Sequence, residues 1–169
     1  GLDIVPRRGH LVITDRYTRS VRHQLVELGY LQSAHTMTDV SVAFNVQPRR
    51  TGQLLVGSSR ELVGWRTDVN RDVVGRMLRR ALDFLPALAG MNAVRTWTAL
   101  RPASPDHLPY IGASPHQQNV WVAAGHEGLG ITTALATGRI IADMLAGRAG
   151  AIDVTPFAPA RSTMQQAHA

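Results

Sequence analysis

The sequence predicts an α+β fold, and three stretches predict it. Apolar and polar residues alternate across 40–59, apolar residues recur at four-residue steps across 69–85, and a short apolar run meets a glycine-rich turn and a helical stretch across 119–146. A two-residue period marks a half-buried strand, and a period near 3.6 marks an amphipathic helix. The order is a strand-rich front, a helix, a strand, a proline loop, a strand and a last helix, without internal repeats.

Residues 10–14 are a short apolar strand after Pro6-Arg7-Arg8-Gly9. The stretch 16–38 is ambiguous, and 25–31 suits either a helical turn or an edge strand. In the hairpin, Val40, Val42, Phe44 and Val46 alternate with Ser41, Ala43, Asn45 and Gln47. Pro48 to Gly52 supplies the turn, because proline fixes φ and glycine tolerates positive φ; residues 53–57 return. Thr67 or Asp68 is the expected cap of a helix reaching Leu85, where Pro86 disfavours helical geometry. Its stripe of Val69, Val73, Met77, Ala81 and Leu85 faces a core. Residues 94–101 read as a strand, with Arg95, Trp97, Ala99 and Arg101 on one face. Pro102, Pro105, Pro109 and Pro115 predict an irregular loop. Residues 119–124 resemble a strand inside a parallel sheet, and a helix over 131–146 is closed by Gly147 at its C′ position.

The chain has 169 residues, 44% hydrophobic and 18% charged, an ordinary globular composition. No stretch reaches the ~20 apolar residues that span a bilayer, and the first ten residues do not read as a signal peptide. There is no cysteine, which excludes disulfides, thiolate metal sites, a cysteine nucleophile and a cysteinyl cofactor tether, and leaves a cytoplasmic location as the expectation. The net charge is +6, and all 18 basic residues are arginine. The pairs Arg7-Arg8, Arg49-Arg50 and Arg79-Arg80 fall in different elements with no interleaved aromatic residues, so no nucleic-acid partner is expected. No metal is expected either, since no His-x-x-x-His pair occurs. His10 and His107 read as ordinary surface or loop histidines, and Trp97 and Trp121 as core.

Two segments carry chemistry. Gly125-His126-Glu127-Gly128-Leu129-Gly130, before Ile131 and Thr132, forms a turn whose glycines admit close approach to a ligand. The helix start presents unpaired N–H groups that stabilise negative charge. A tight connection without a ligand suits the same spacing, which is not the Gly-x-Gly-x-x-Gly of a dinucleotide fingerprint. His126 and Glu127 serve either a ligand or a cap. In the second segment, Pro102 holds Arg101 extended at a strand end, where a guanidinium grips a carboxylate through two parallel hydrogen bonds. A structural ion pair with Asp106 is the alternative. Asp106 is also placed to close an Asx-type turn, and 154–161 forms a tail packing on the sheet, with fraying from Ser162.

Taken together, Leu100-Arg101-Pro102, Pro105-Asp106, Leu108 to Gly112 and Val120 to Ile131 resemble the end of the D-amino-acid oxidase/glycine oxidase superfamily of FAD-dependent oxidoreductases. The chain looks closest to the branch of glycine oxidase, hydrogen cyanide synthase and opine or D-hydroxyproline dehydrogenases, and the hairpin at 45–57 resembles that branch too. The resemblance implies a partial substrate domain over 1–100, with an antiparallel sheet and helix. Residues 101–150 would return to the FAD-binding domain as its last strand and helix, and 151–169 would form a tail. It implies oxidation of the amine of an amino acid (a D-amino acid, glycine or a secondary amine of opine type) to an imine, with hydride passing to FAD and electrons onward to oxygen or a quinone. Arg101 matches the arginine that binds the substrate carboxylate. Gly125 to Thr132 matches the segment beside the flavin. Two departures stand out. Asn45 occupies the place of a carboxylate-holding tyrosine, and Gly128 stands where some members carry a second arginine, so a bulkier or secondary amine is expected. The glycine fingerprint that takes the ADP part of FAD does not occur. The chain is therefore expected to be a fragment, lacking its N-terminal FAD-binding half and unable to hold FAD or turn over alone. Other subunits or a homo-oligomer are further expected partners, and a quinone acceptor would imply a location peripheral to the inner membrane. A non-catalytic binding or assembly module is the competing expectation.

Overall fold

The computed structural model describes residues 2–17, 21–30 and 40–161. The ambiguous stretch at 16–38 falls partly, and the expected fraying from Ser162 wholly, outside these. Two compact units divide the chain, one of Pro6–Leu100 and one of Gly1–Val5 with Arg101–Ala169.

The first unit is a sheet covered by a helix. Strands β1 (Val5–Thr14), β2 (Leu25–Val26), β3 (Val40–Pro48), β4 (Leu54–Glu61) and β5 (Ala93–Ala103) lie in the order β2-β3-β4-β1-β5. The pairs β1/β4, β2/β3 and β3/β4 are antiparallel. Helix α1 (Arg71–Phe84) packs on this sheet through Met77 and Ala81, which join Val12, Phe44, Val46, Leu54 and Val56 in the core. Removing these side chains from water is the main favourable term of the unit. Phe44 stacks on Phe84 with ring centroids 4.8 Å apart.

The hairpin pattern holds with one break. Val42 pairs with Ser59, but Asn45 pairs with Gly57, so β3 carries an extra residue there. This bulge lets neighbouring Ala43 and Phe44 both be buried, whereas strict alternation sends Ala43 outward. Strand β1 begins earlier than its apolar run suggests, because Arg7 and Arg8 are buried within it. Arg8 donates to Glu61 at 2.9 Å and to the Asp68 carbonyl at 2.8 Å. The hydrogen bond to Glu61 is the chief cause that raises the Arg8 pKa above its ordinary value.

His10 is a correction. It is fully buried rather than at the surface. Its Nδ1 lies 2.8 Å from Ser59 Oγ, and its Nε2 accepts from the Asn70 backbone N–H at 3.0 Å. That acceptor role leaves the proton on Nδ1. The helix cap is also corrected. Asn70, not Thr67 or Asp68, accepts from the N–H groups of Asp72 and Val73. The Asn70 amide also donates to Glu61 at 3.1 Å, so the start of α1 is fastened to β4.

In the second unit β6 (Tyr110–Ala113) and β7 (Trp121–Ala124) form an antiparallel pair, and helix α2 spans Gly130–Leu145. The prolines do not forbid regular structure. β5 runs through Pro102, tolerated because β5 is an edge strand whose proline N need not donate, and β6 starts directly after Pro109. Among the described residues β7 has no parallel neighbour. Its partner there is β6, and Trp121 is exposed rather than core. Gly147, at φ +62, ends α2 as expected, with its N–H on Met144 O.

Candidate functional site

The second unit brings together the two segments that the sequence singles out. Ala103, at the end of β5, forms an antiparallel bridge with His126. Arg101 lies two residues earlier on the same strand and shares the face of Ala103 by the strand period. The root of the proline loop therefore sits beside the glycine turn. Arg101 is half-buried.

Asp106, the alternative partner read for Arg101, is paired with a different arginine. Its carboxylate is held by Arg161, with Nε at 2.6 Å from Oδ2 and Nη2 at 3.0 Å from Oδ1. Asp106 Oδ1 also accepts from the Leu108 N–H at 3.2 Å, which is the expected Asx turn. Burial pushes the Asp106 carboxyl up, but Arg161 and the Leu108 N–H outweigh it, and its pKa lies below the ordinary carboxylate value. Arg161 was the residue that sequence reasoning missed. Its only signal is a lone charge closing the apolar stretch Val154 to Ala160.

The turn is built differently from a run of flexible glycines. Of its glycines only Gly125 uses positive φ, at +80, and a Cβ there would come within 3.2 Å of Tyr110 Cδ2. Gly130 has helical φ of −56 and is the first residue of α2. Glu127 takes φ +48 without being glycine, and its carboxylate accepts from the Gly128 N–H at 2.6 Å; that local bond favours an unusual backbone. A single 3₁₀ turn, Glu127–Leu129, leads into α2, which has no side-chain cap. His126 Nε2 meets Thr137 Oγ1 at 3.0 Å, and burial holds the His126 pKa below its ordinary value, so this imidazole is neutral at pH 7.

These residues fit a flavin edge. The start of α2 offers backbone N–H groups and a partial positive charge without a side chain across them. Gly128, Leu129, Ile131 and Thr132 are exposed, and a planar ring with an apolar face and a negatively polarised edge suits such a surface.

Asn45 belongs to the first unit. It is half-buried on β3 opposite Gly57, and its Oδ1 accepts from Gln24 at 3.4 Å. The arginines are less scattered than the sequence suggests. Arg16, Arg22, Arg49 and Arg50 line one cleft of about 590 Å³ by the hairpin turn, with Tyr17 as its aromatic residue. Among the described residues no group of three or more His, Asp and Glu side chains could hold a metal ion, and no helix is long and apolar enough to cross a membrane.

Comparison with known proteins shows what the chain is similar to. Glycine oxidase of Pseudomonas aeruginosa is 39% identical over 113 residues, covering 67% of this chain and 31% of that protein. Hydrogen cyanide synthase subunit HcnC of the same species is 28% identical over 160 residues, 95% of this chain and 35% of that protein. The chain thus spans about a third of the length of these curated relatives. Among solved structures, glycine oxidase from Geobacillus kaustophilus superposes with a TM-score of 0.78 at 25% identity, over 96% of this chain and 40% of that one. L-proline dehydrogenase from P. horikoshii shares the fold, with a TM-score of 0.78 at 19% identity over 94% of this chain and 40% of that one. Residues 1–144 match the family described as DAO, FAD dependent oxidoreductase. A match that runs over most of the chain shows its family: the chain belongs to the DAO family of FAD-dependent oxidoreductases.

Proposed function

We propose that this chain is the C-terminal part of an enzyme that oxidises the amine of an amino acid, with 1–100 from its substrate domain and 101–150 returning to its FAD-binding domain. The observation that carries the reading is the Ala103–His126 bridge, which sets the Arg101 strand against the turn that resembles the flavin segment. Arg101 binds the substrate carboxylate, its guanidinium fork matching two oxygens. The backbone of Gly125 to Gly130, with Ile131 and Thr132 at the start of α2, faces the flavin and stabilises negative charge there through its N–H groups. FAD, when bound, supplies the two-electron acceptor. The chain then needs to orient the amine-bearing carbon and keep water from it, and no acid or base from these residues is required. Asn45, a substrate-pocket residue by its resemblance to the position of a glycine oxidase tyrosine, suits a D-amino acid or secondary amine of greater bulk than glycine.

Helix α2 supports the larger assembly. Ile131 and Leu135 are 97% and 90% exposed, while Thr137 and Asp143 are buried. An apolar face turned outward is a surface that further polypeptide covers, and the greater length of the relatives suits that role.

Two measurements test the reading. In the flavin-loaded protein, Arg101→Ala weakens the apparent affinity for an amino-acid substrate by about 2–4 kcal/mol, the cost of removing one partner of a desolvated charge pair. Unchanged affinity removes Arg101 from the site. The 169-residue chain alone emerges from gel filtration without a flavin absorbance band; a retained band contradicts the division of FAD binding between this chain and further sequence.

A further inference from the structure

Arg161 lies 60 residues beyond Arg101 in the sequence, in a tail with no other charged side chain after Asp153. Its side chain is nevertheless only 10% exposed and that of Asp106 only 4%. Besides the two bonds to Asp106, Nη2 donates to the Leu108 carbonyl, and Nη1 donates to Pro109 O at 3.1 Å. Nη1 also reaches Phe157 O at 3.2 Å and Ala158 O at 3.4 Å, so the same group fixes its own tail. All three guanidinium nitrogens thus donate to acceptors, a pattern that lysine does not reproduce.

The guanidinium face has a second task. Arg161 Cζ sits 3.9 Å from the centroid of the Tyr110 ring. Tyr110 is buried, its hydroxyl donates to Asp3 O at 3.3 Å, and its backbone pairs with Ala124. The edge of the same ring lies 3.2 Å from where a Gly125 Cβ would stand. One side chain therefore braces two segments. Its edge holds the proline loop that follows Arg101, and its face backs the aromatic ring against which the glycine turn closes.

We propose that Arg161 is a positioning residue that fixes the loop after Arg101 and the Gly125 turn relative to each other, and so sets the span between the carboxylate-binding and flavin-facing walls of the site. The proposal rests on the amine-oxidising reading for its catalytic consequence, but its mechanical part stands on this unit alone. It acts through Asp106 and Tyr110 and touches neither substrate nor cofactor.

The test uses the full-length, flavin-loaded protein with Arg161→Gln and Asp106→Asn. Amide hydrogen exchange is followed at His107 and Leu108 in the loop and at Leu129 in the turn, all of whose N–H groups are bonded. Arg161→Gln is expected to speed exchange at both places and to raise KM for the amino acid roughly tenfold, as loss of a charged hydrogen bond would. Asp106→Asn is expected to loosen the loop and spare Leu129, because the ring contact remains. A purely structural role would lower the melting temperature and leave KM unmoved. The proposal is overturned if Arg161→Gln loosens only 154–161, or leaves both segments and KM as in the wild type. If Arg161→Gln does not fold, Asp106→Asn decides, and unchanged exchange at Leu108 overturns it. Should the wild type oxidise no amine, the oxidase reading falls while the exchange result still settles the positioning.

Discussion

Ala103 and His126 face each other across a single antiparallel bridge, with Gly125 immediately before it at φ +80. That bridge joins the Arg101 strand to the turn, and its geometry depends on a residue that tolerates the left-handed region.

Gly125 and Gly130 should therefore respond in opposite ways to alanine. At Gly125 the added Cβ meets both an unfavourable φ and the Tyr110 ring at 3.2 Å, and Gly125→Ala is expected to lower stability by about 1–3 kcal/mol. At Gly130 φ is helical and the nearest atom is His126 Cβ at 3.5 Å, so Gly130→Ala is expected to raise stability by about 0.4–1 kcal/mol. Thermal unfolding of the two variants checks the pair.

The buried carboxylate of Glu61 collects Arg8, Asn70 and, at 3.4 Å, His10 Nδ1. Glu61→Ala leaves the Arg8 charge buried beside lost acceptors, and a cost of about 3–5 kcal/mol is expected. Urea unfolding should show it as a lower midpoint with an unchanged slope.

Asn70→Ala is expected to cost about 1–2 kcal/mol through loss of the α1 cap. Thr67→Ala is expected to stay within about 0.5 kcal/mol, as a surface change does. Equal effects in chemical denaturation would return the cap to Thr67.

His126 gives the pH dependence a sign. Its folded pKa lies below the ordinary value because of burial, so the unfolded chain takes up a proton first as pH falls. Stability is full above about 6.5 and declines as pH drops through the folded value. His126→Gln removes that titration, so its melting temperature should fall less between about pH 7 and 5 than that of the wild type. Asp106, whose pKa is lowered, adds a separate loss only below about pH 3.9.

Local sequence determined the strands of the hairpin, the amphipathic helix and the strand–turn–helix end, because side-chain period and glycine or proline placement act over a few residues. It also marked Arg101 and the glycine turn as chemical candidates, and their combination identified the family. Tertiary structure alone decided which partners the charges take. Asp106 is bound by Arg161, 55 residues away, and His10 is buried against Ser59 and Asn70, 49 and 60 residues on. The β3 bulge that buries Ala43 and Phe44 together, and the outward apolar face of α2, are equally invisible to a periodic pattern. The physical reason is the same in each case: a hydrogen-bond donor or an apolar face carries no label for its partner, and only chain packing brings distant residues within the ~3 Å over which these interactions choose.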